Sequence, residues 1–446
     1  MPGPLFQIAR SGAAASRASL ELVAQNIANA SNPDYSRRTL EVRELVGLSF
    51  GSRDVLNGVR IEGISRASTE IVQQQARTSA AELARADAEL QGLRDTELAL
   101  EQSRLFEGLV EFEAVFTQLE GNPLEPALRT NALETARQLA STIRFADTTL
   151  GTARTQVQDA VSVSLNEANL QAAEIARINQ NLSFTRPGTS GEASLLDARD
   201  AALRNLSELV GVTATFDERG AASVRLADAS GGPGALLVDG FSSNAIGSST
   251  NADGTVSFDV GGVGVAPVRG ALAGQAAALE AQADFQTQLD TIADEVITRS
   301  NAAQATGSDQ DGNPGQALFT GASASDIALN LTSGRQLATA PLGSPAGSTN
   351  TTNLAAFTAS FGADDGPIAR TDALLLGLSS RIAAQDVTRT GLAAIAQNAE
   401  ATLLTETGVD LDTEAANLIR LQQAFEANGR VLQVAAEVFD TLLAIR

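Results

Sequence analysis

The strongest constraint on this chain is a heptad pattern close to its C-terminus. Apolar or small residues recur there at alternating steps of four and three for almost five heptads. The positions are Leu411, Ala415, Leu418, Gln422, Phe425, Gly429, Leu432, Ala436, Phe439 and Leu443. Only Gln422 departs from the pattern, and Asp410 or Asp412 supplies the N-cap. Because such a repeat keeps one seam on one side of a helix, it predicts a helix that packs lengthwise against another helix.

A second seam of this kind lies at the N-terminus. Its positions are Phe6, Ala9, Ala13, Ser16, Leu20, Val23, Ile27 and Ala30. Pro33 ends this helix, since the residue before a proline is pushed out of the helical region. The two terminal helices have two possible partners, each other and the helices of neighbouring subunits. The match between the two heptad patterns favours contact between subunits over purely intramolecular pairing.

Two asparagines flank the N-terminal seam. Asn26 and Asn29 each stand one position before a seam residue, Ile27 and Ala30 respectively, and Val23 precedes both on the seam. An amide at a packed interface hydrogen-bonds to backbone or to another amide and fixes the register of the helices. The residues alone leave solvent and interface equally open for both side chains.

The composition excludes most chemistry. The formal charge of −22 argues against nucleic-acid and anionic-membrane partners, because either would need a basic patch. The sequence has no Cys, His, Trp or Lys, so all 31 basic residues are Arg. The commonest general base, thiolate nucleophiles, imidazole or thiolate metal ligands, Schiff bases and Walker-type phosphate loops are therefore missing. We expect no enzyme activity, no cofactor and no metal site.

The chain also lacks the signals of a membrane protein. It has no apolar run of 18 residues, and Arg17 and Glu21 interrupt any signal-peptide core near the N-terminus. A chain without cysteine and without a cleavable signal fits either the cytoplasm or a non-classical export route. Composition does not choose between the two.

The composition and the hydrophobic periodicity change several times along the middle of the chain, which predicts several domains. Alternating residues indicate a β-ribbon over 38–64, and two long helical stretches, 68–120 and 125–182, indicate an antiparallel pair in a rod-like domain. After these come a β-rich stretch over 186–269, a helix over 270–301, a Gly/Ser/Thr-rich loop region or small subdomain over 305–368, and a helix over 371–404.

We therefore predict a mainly α fold with an inserted β-rich outer domain. The terminal-helix core would comprise 1–35 and 408–446. The long-helix domain would comprise 36–185 and 270–407, and the β-rich domain 186–269.

Four stretches resemble a known family. The first is SLELVAQNIANASNPDYSRR, from Ser19 to Arg38, which resembles the signature of bacterial flagellar axial proteins of the rod, hook and hook-associated group. Its Pro33–Arg37 part is closest to the hook-associated members, although Asp34 stands where the family usually has Gly. The other three are LLDARDAALRNLSELVGV from Leu195, DQDGNPGQALF from Asp309, and the stretch from Gly408 to Arg446. All four stretches occur in the order found in the family, and the resemblance is most specific at the two ends of the chain.

The resemblance implies a structural subunit at the junction between hook and filament. The terminal helices would pair as a coiled coil and pack among copies of the same chain in a ring, with hook protein below and a second junction protein above. Export would proceed without a cleaved signal peptide to the bacterial flagellum, outside the cell. A cytoplasmic export chaperone would cover the apolar face of the C-terminal helix, formed by Leu418, Phe425, Leu432 and Phe439.

The subunit interface is expected to use residues from both termini. These are Leu20, Val23, Asn26, Ile27, Asn29, Leu411, Leu418, Phe425, Leu432, Phe439 and Leu443. Two alternatives remain for the function: another flagellar axial protein, such as a hook, rod or second junction protein, and a secreted adhesin-like surface module.

Overall fold

The computed structural model describes residues 4–45, 58–227 and 233–444. The helices in this part of the chain are α1 (Pro4–Ala28), α2 (Glu70–Ser103), α3 (Leu105–Gly121), α4 (Pro126–Phe184), α5 (Ser190–Leu209), α6 (Ala271–Ala305), α7 (Thr352–Phe361), α8 (Pro367–Thr407) and α9 (Leu411–Ala444). None of these described helices is both long and apolar enough to cross a lipid bilayer.

The first and last helices pack side by side in opposite directions. A Cβ added to Gly12 of α1 would lie 2.7 Å from the Asn428 side chain of α9, so the two backbones approach closely there. At the other end of the pair, the backbone N–H of Arg37, beyond α1, donates to the carbonyl of Thr407, just before α9. The predicted pairing of the terminal helices is confirmed.

A β-ribbon follows α1 and lies along it. Strands β1 (Arg38–Glu44) and β2 (Val59–Arg66) pair antiparallel, with a register shift between Glu41 and Val42. The N–H of Val59 donates to the Ser11 hydroxyl of α1 at 3.1 Å. Ile64 N–H donates to Gly188 O at 3.0 Å, so the ribbon also contacts the turn that follows α4. The ribbon thus connects the terminal helices to the rest of the fold.

The long helices form an up-and-down bundle. The ion pairs Arg94–Asp386 and Asp87–Arg389 show that α2 runs antiparallel to α8, and α4 runs antiparallel to both α2 and α6. The sequence predicted one helix over 68–120, but the structure divides it into α2 and α3 at Arg104. This residue has φ of 54°, and it is the only non-glycine with positive φ among the described residues. The break therefore occurs at a residue that is neither proline nor glycine.

Aromatic residues concentrate at one end of the bundle. Phe112 lies at the centre of this cluster, with ring centroids of four other phenylalanines within about 6 Å. The other four are Phe116, Phe319, Phe357 and Phe361. With aromatic residues making up only 4% of the chain, this cluster is the main site of aromatic packing in the described core.

The Gly/Ser/Thr-rich stretch over 305–368 packs against the same end of the bundle. It contains the short strands β10 (Gly307–Ser308), β11 (Phe319–Thr320), β12 (Ala328–Leu329) and β13 (Ala340–Pro341), together with α7. Arg129 of α4 is fully buried and donates to the carbonyls of Gly334 at 3.0 Å and Leu337 at 2.9 Å. Of the two forms that the sequence left open, the structure has the small subdomain.

The β-rich stretch lies between α5 and α6 and packs on α4. A four-stranded sheet contains β3 (Val212–Phe216), β4 (Ala222–Ala227), β5 (Pro233–Asp239) and β6 (Ser242–Ser243). A three-stranded sheet contains β7 (Ile246–Thr250), β8 (Val256–Val260) and β9 (Val263–Val265). Strands β6, β7 and β9 are short or rich in Gly and Ser. The mainly α fold with a β-rich insertion is confirmed.

Candidate assembly surface

The predicted seam of α1 forms its inner face. Val23 is buried, and Leu20 and Ile27 are half-buried. These side chains occupy one side of the helix because steps of three and four residues return to the same face. The N-terminal seam therefore stabilises the pair within one chain, and its place in contacts between copies stays a prediction.

The predicted seam of α9 is divided between two environments. Leu418 and Leu432 are half-buried toward α1, whereas Leu411, Phe425 and Phe439 are exposed. Phe425 and Phe439 each leave 43% of their surface accessible. The side chain of Leu443 lies outside the described residues. Six of the nine described positions of the C-terminal pattern are thus left exposed by the chain's own helices.

A second set of apolar residues on α9 was missed by the sequence analysis. Val431, Val434 and Val438 are exposed, on the other side of the strip that contacts α1. Their spacing of three and four residues was a usable signal, but the heptad seam beside it was longer. A helix that is apolar on both flanks of its contact strip is typical of one that is buried among several partners.

Asn26 lies inside the chain and joins α1 to the segment that follows it. Its Oδ1 accepts from the Tyr35 hydroxyl at 2.8 Å and from the Arg38 N–H at 3.1 Å. Its Nδ2 donates to the Arg38 carbonyl at 2.9 Å, and the residue is 1% exposed. Three hydrogen bonds from one buried amide fix the path of the chain as it leaves α1.

Asn29 and Asp34 have more local roles. Asn29 is half-buried, and its Nδ2 donates to Gln25 O at 2.8 Å within the same helix. Asp34 pairs with Arg204 of α5, and its backbone does not adopt a positive φ. The position therefore does not require the glycine that the family usually has there. The aspartate instead adds a contact between the turn and α5.

A buried ionic network connects this turn to α5 and α2. The Arg38 guanidinium donates to Asp197 Oδ2 at 2.7 Å, and Arg66 donates to Asp197 Oδ1 at 2.7 Å and also pairs with Asp200. Arg199 and Gln73 donate to Asp200 at 2.7 Å and 2.9 Å. All four charged partners of the Arg38–Asp197–Arg66–Asp200 chain have little solvent exposure.

The pKa values follow from this arrangement. Burial alone would raise the pKa of Asp200, but the guanidinium groups of Arg199 and Arg66 outweigh it and hold the pKa below its usual value. Burial raises the pKa of the Tyr35 hydroxyl, while the nearby Arg38 opposes the shift. The Asp200 carboxylate is therefore ionised at neutral pH, paired with Arg66 and Arg199.

The sequence analysis did not single out this network by its chemistry. Asp197 and Asp200 are three residues apart on α5, so both carboxylates face the same side. Their arginine partners come from β1 and β2, more than 130 residues away in the sequence. The spacing of the two aspartates within α5 was therefore only a weak signal of an ionic network, because their arginine partners are distant in the sequence.

Comparison with known proteins connects this architecture to a family. A family model described as the flagellar hook-associated protein FlgK helical domain matches residues 92–319, just over half of the chain. The chain belongs to this FlgK family. The resemblance predicted from its terminal and internal stretches is confirmed.

A second family model matches the C-terminal end of this FlgK-family chain. Described as the flagellar basal body rod FlgEFG protein C-terminal, it covers residues 402–445, which include α9. The first model names a hook-associated protein, and the second names rod proteins. The terminal match therefore indicates the wider axial group, and the helical-domain match indicates the hook-associated branch.

Two similar proteins are both named flagellar hook-associated protein 1. Flagellar hook-associated protein 1 of Escherichia coli strain K12 is 25% identical over 228 residues, covering 50% of this chain and 42% of that protein. The protein of the same name from Salmonella typhimurium strain LT2 is 26% identical, with 50% and 41% covered. The aligned part spans less than half the length of each relative.

Similar solved structures include the flagellar hook junction protein FlgK from Burkholderia pseudomallei. It is 22% identical and covers 55% of this chain and 46% of that one, with a TM-score of 0.49.

Proposed function

We propose that this chain is a non-catalytic structural subunit of the bacterial flagellum, at the junction between hook and filament. The family match and the printed names of the relatives support the flagellar role. The observation that carries the assembly mechanism is the exposure of apolar residues on both flanks of α9. A subunit in a ring has a neighbour on each side, and each flank would contact one of them.

The proposed contact surface adds a second flank of α9 to the predicted list and gives the predicted residues of α1 an indirect role. One flank is defined by the exposed seam residues Leu411, Phe425 and Phe439, which share a heptad position with Leu418 and Leu432, and the other by the exposed Val431, Val434 and Val438. Leu20, Val23, Asn26 and Ile27 would act indirectly, because they hold α1 against α9 and against the following turn. Leu418 and Leu432, half-buried toward α1, would contribute to both contacts.

Other partners follow from the same role. Hook protein would lie below the ring and a second junction protein above it, and a cytoplasmic export chaperone would cover the flank that contains Phe425 and Phe439 before assembly. Export would take place without a cleaved signal peptide to the outside of the cell. The net charge of −22 supports the absence of nucleic-acid and membrane partners.

The proposal is tested by replacing exposed apolar residues in the full chain. Phe425→Ser with Val438→Ser removes one side chain from each flank, both of which are exposed, so the free chain should stay as stable as the wild type. Cells that carry this variant should form hooks but few or no filaments, as judged by electron microscopy and swimming.

A matched control uses two exposed residues of α4. Val163→Ser with Leu170→Ser removes comparable exposed apolar groups far from α9 and should leave filaments intact. Normal filaments with the α9 variant would contradict the proposed surface. If antibody labelling placed the wild-type chain away from the hook–filament joint, the proposed function itself would be wrong.

A further inference from the structure

The outward side of α8 carries no charge along most of its length. Over 373–399, every charged residue of α8 pairs with α2, in the ion pairs Arg381–Glu89, Asp386–Arg94 and Arg389–Asp87. The other side of the helix forms the α8 face, whose exposed residues are Leu376, Ser380, Ala383, Val387, Gly391 and Ala394. Leu376 and Val387 leave 65% and 74% of their surface accessible. The chain thus exposes a long, partly apolar helix face to solvent.

A second uncharged face lies on α4. Over 138–158, the charged residues of α4 contact the chain's own elements, through Arg144 with Ile327, Asp147 with Gln286 and Arg154 with Gly254. The remaining exposed residues form the α4 face, which consists of Ser141, Phe145, Thr148, Thr152, Thr155 and Gln156. The α4 face ends at the exposed carboxylate of Asp159.

The threonine hydroxyl groups of these surfaces are already hydrogen-bonded. On the α4 face, each threonine donates to the carbonyl four residues earlier, with distances of 2.9 Å for Thr148, 2.9 Å for Thr152 and 3.0 Å for Thr155. Thr388 and Thr390 of α8 do the same at 2.9 Å. Burial of a hydroxyl is costly when its hydrogen bond is lost. Another helix can therefore cover these surfaces without leaving the threonine donors unpaired.

The two faces lie on opposite sides of the bundle and at the same level. Both α4 and α8 pack against α2 and α6, which also pack against each other, so α4 and α8 lie on either side of that pair. The Thr149 hydroxyl donates to Ala99 O of α2 at 3.1 Å, and Arg94 of α2 pairs with Asp386 at 2.9 Å. Since α4 and α8 run parallel, a rise of about 1.5 Å per residue places Thr152 and Ala383 at nearly the same level.

The charge of the chain favours a second copy as the partner of these faces. Each copy carries a net charge of −22, so two copies repel each other wherever their acidic surfaces meet. A basic partner would be attracted to those acidic surfaces instead. Charged residues are also depleted at the centres of protein interfaces. Two uncharged faces therefore fit a partner that has the same charge as the chain itself.

We propose that the α8 face of one copy packs lengthwise against the α4 face of the next copy. The contact is heterologous, because two different faces meet, and each copy keeps one face for a further neighbour. Since the faces lie on opposite sides at the same level, repetition of the contact adds copies side by side. This inference rests on the proposed function, which places several copies of the chain in a ring.

Cross-linking tests the contact, since the chain has no native cysteine. Ala383→Cys with Thr152→Cys places one thiol on each face, and the bundle separates the two thiols within one chain. A short bismaleimide, which tolerates a small axial offset, should give a ladder of dimers, trimers and larger species in isolated flagella, detected with an antibody against the chain. Either single variant should give no ladder, because a heterologous contact needs both faces.

The control for cross-linking is Ala383→Cys with Leu170→Cys. Leu170 is exposed on α4 but lies about 27 Å along the helix from Thr152, so its cross-linked yield should be lower by about tenfold or more. If the chain is present in flagella and the two pairs cross-link equally, or a single variant forms dimers, the contact is wrong and the junction role stands. If the wild-type chain is absent from flagella, the proposed function fails and the contact fails with it.

A charged substitution gives an independent test. Val387→Glu introduces an unpaired carboxylate on the α8 face, and the number of hooks that carry filaments should fall by about tenfold or more. Val163→Glu is the matched control, because Val163 is 69% exposed on α4 beyond Asp159, and it should leave filaments intact. Both variants should keep the wild-type thermal midpoint, since both side chains are exposed. Normal filaments with a stable Val387→Glu chain would overturn the proposed contact.

Discussion

The two ends of the helical bundle are held by different kinds of interaction. Phenylalanine rings around Phe112 fill the end that packs against residues 305–368, whereas arginines and aspartates around Asp197 hold the end beside the terminal helices. Apolar packing is non-directional and tolerates small shifts. Paired charges with fixed hydrogen-bond geometry specify an angle. The difference indicates that the charged end determines the orientation of the terminal helices more than the stability of the bundle.

The largest expected effect is at the aromatic end. Phe112→Ala should lower the free energy of unfolding by about 3–5 kcal/mol, because it leaves a cavity at the centre of the cluster. Chemical denaturation with far-UV circular dichroism measures this change. Phe145→Ala, at an exposed position of α4, is the control and should change stability by less than about 0.5 kcal/mol. A similar loss for both variants would remove the distinction between the two ends.

The charged end should respond more locally. Asp197→Ala leaves Arg38 and Arg66 without their shared carboxylate and should destabilise that end by about 3 kcal/mol. Hydrogen exchange should show faster opening of β1, β2 and the start of α5, with the aromatic end unchanged. Asp159→Ala, on the solvent side of α4, is the control. Loss of protection throughout the bundle would show that the charged end stabilises the whole fold.

The same end should be sensitive to acid. The pKa of Asp200 is lower in the folded chain than its ordinary 3.8, so its contribution to stability is complete above about pH 4 and is lost as the pH falls through the folded-state pKa. Asp200→Asn should therefore flatten the fall in stability below pH 4, measured by urea denaturation across pH.

The pKa of Glu208 is shifted in the opposite direction to that of Asp200. Burial, with the nearby charge of Glu400, raises its pKa, and Arg204 opposes the shift. Protonation of Glu208 is thus easier in the folded chain, and Glu208→Gln should raise stability at neutral pH. If Asp200→Asn and Glu208→Gln changed the pH profile in the same direction, the electrostatic account of this end would be incorrect.

The smallest expected effect concerns the break between α2 and α3. Arg104 has a positive φ, which favours glycine, so Arg104→Gly should stabilise the chain by about 1 kcal/mol. Arg137→Gly, at an exposed site inside α4, should destabilise by about the same amount. Thermal unfolding of the two variants measures the contrast. Destabilisation by Arg104→Gly would mean that the arginine side chain, not its backbone, determines the break.

Much of the fold was predictable because its signals are local. The seam of α1, the long helices, the N-cap at Asp410 and the β-ribbon all follow from periodicity and turn residues within a few turns of chain. The packed state of 305–368 was not predictable. Its glycines and serines resemble a loop, and its burial depends on Arg129 and Phe112, which are distant in sequence.

The sequence by itself determined that both ends of this chain are helices with an apolar seam. The helical period is visible locally, because residues three and four positions apart lie on the same face of a helix. Only the tertiary structure decided which side of α9 packs against α1. The helix has apolar residues on more than one side, so its sequence allows more than one contact face. It also decided that Asn26 acts inside the chain. Its partners, Tyr35 and Arg38, approach it only after the chain has turned back at the end of α1.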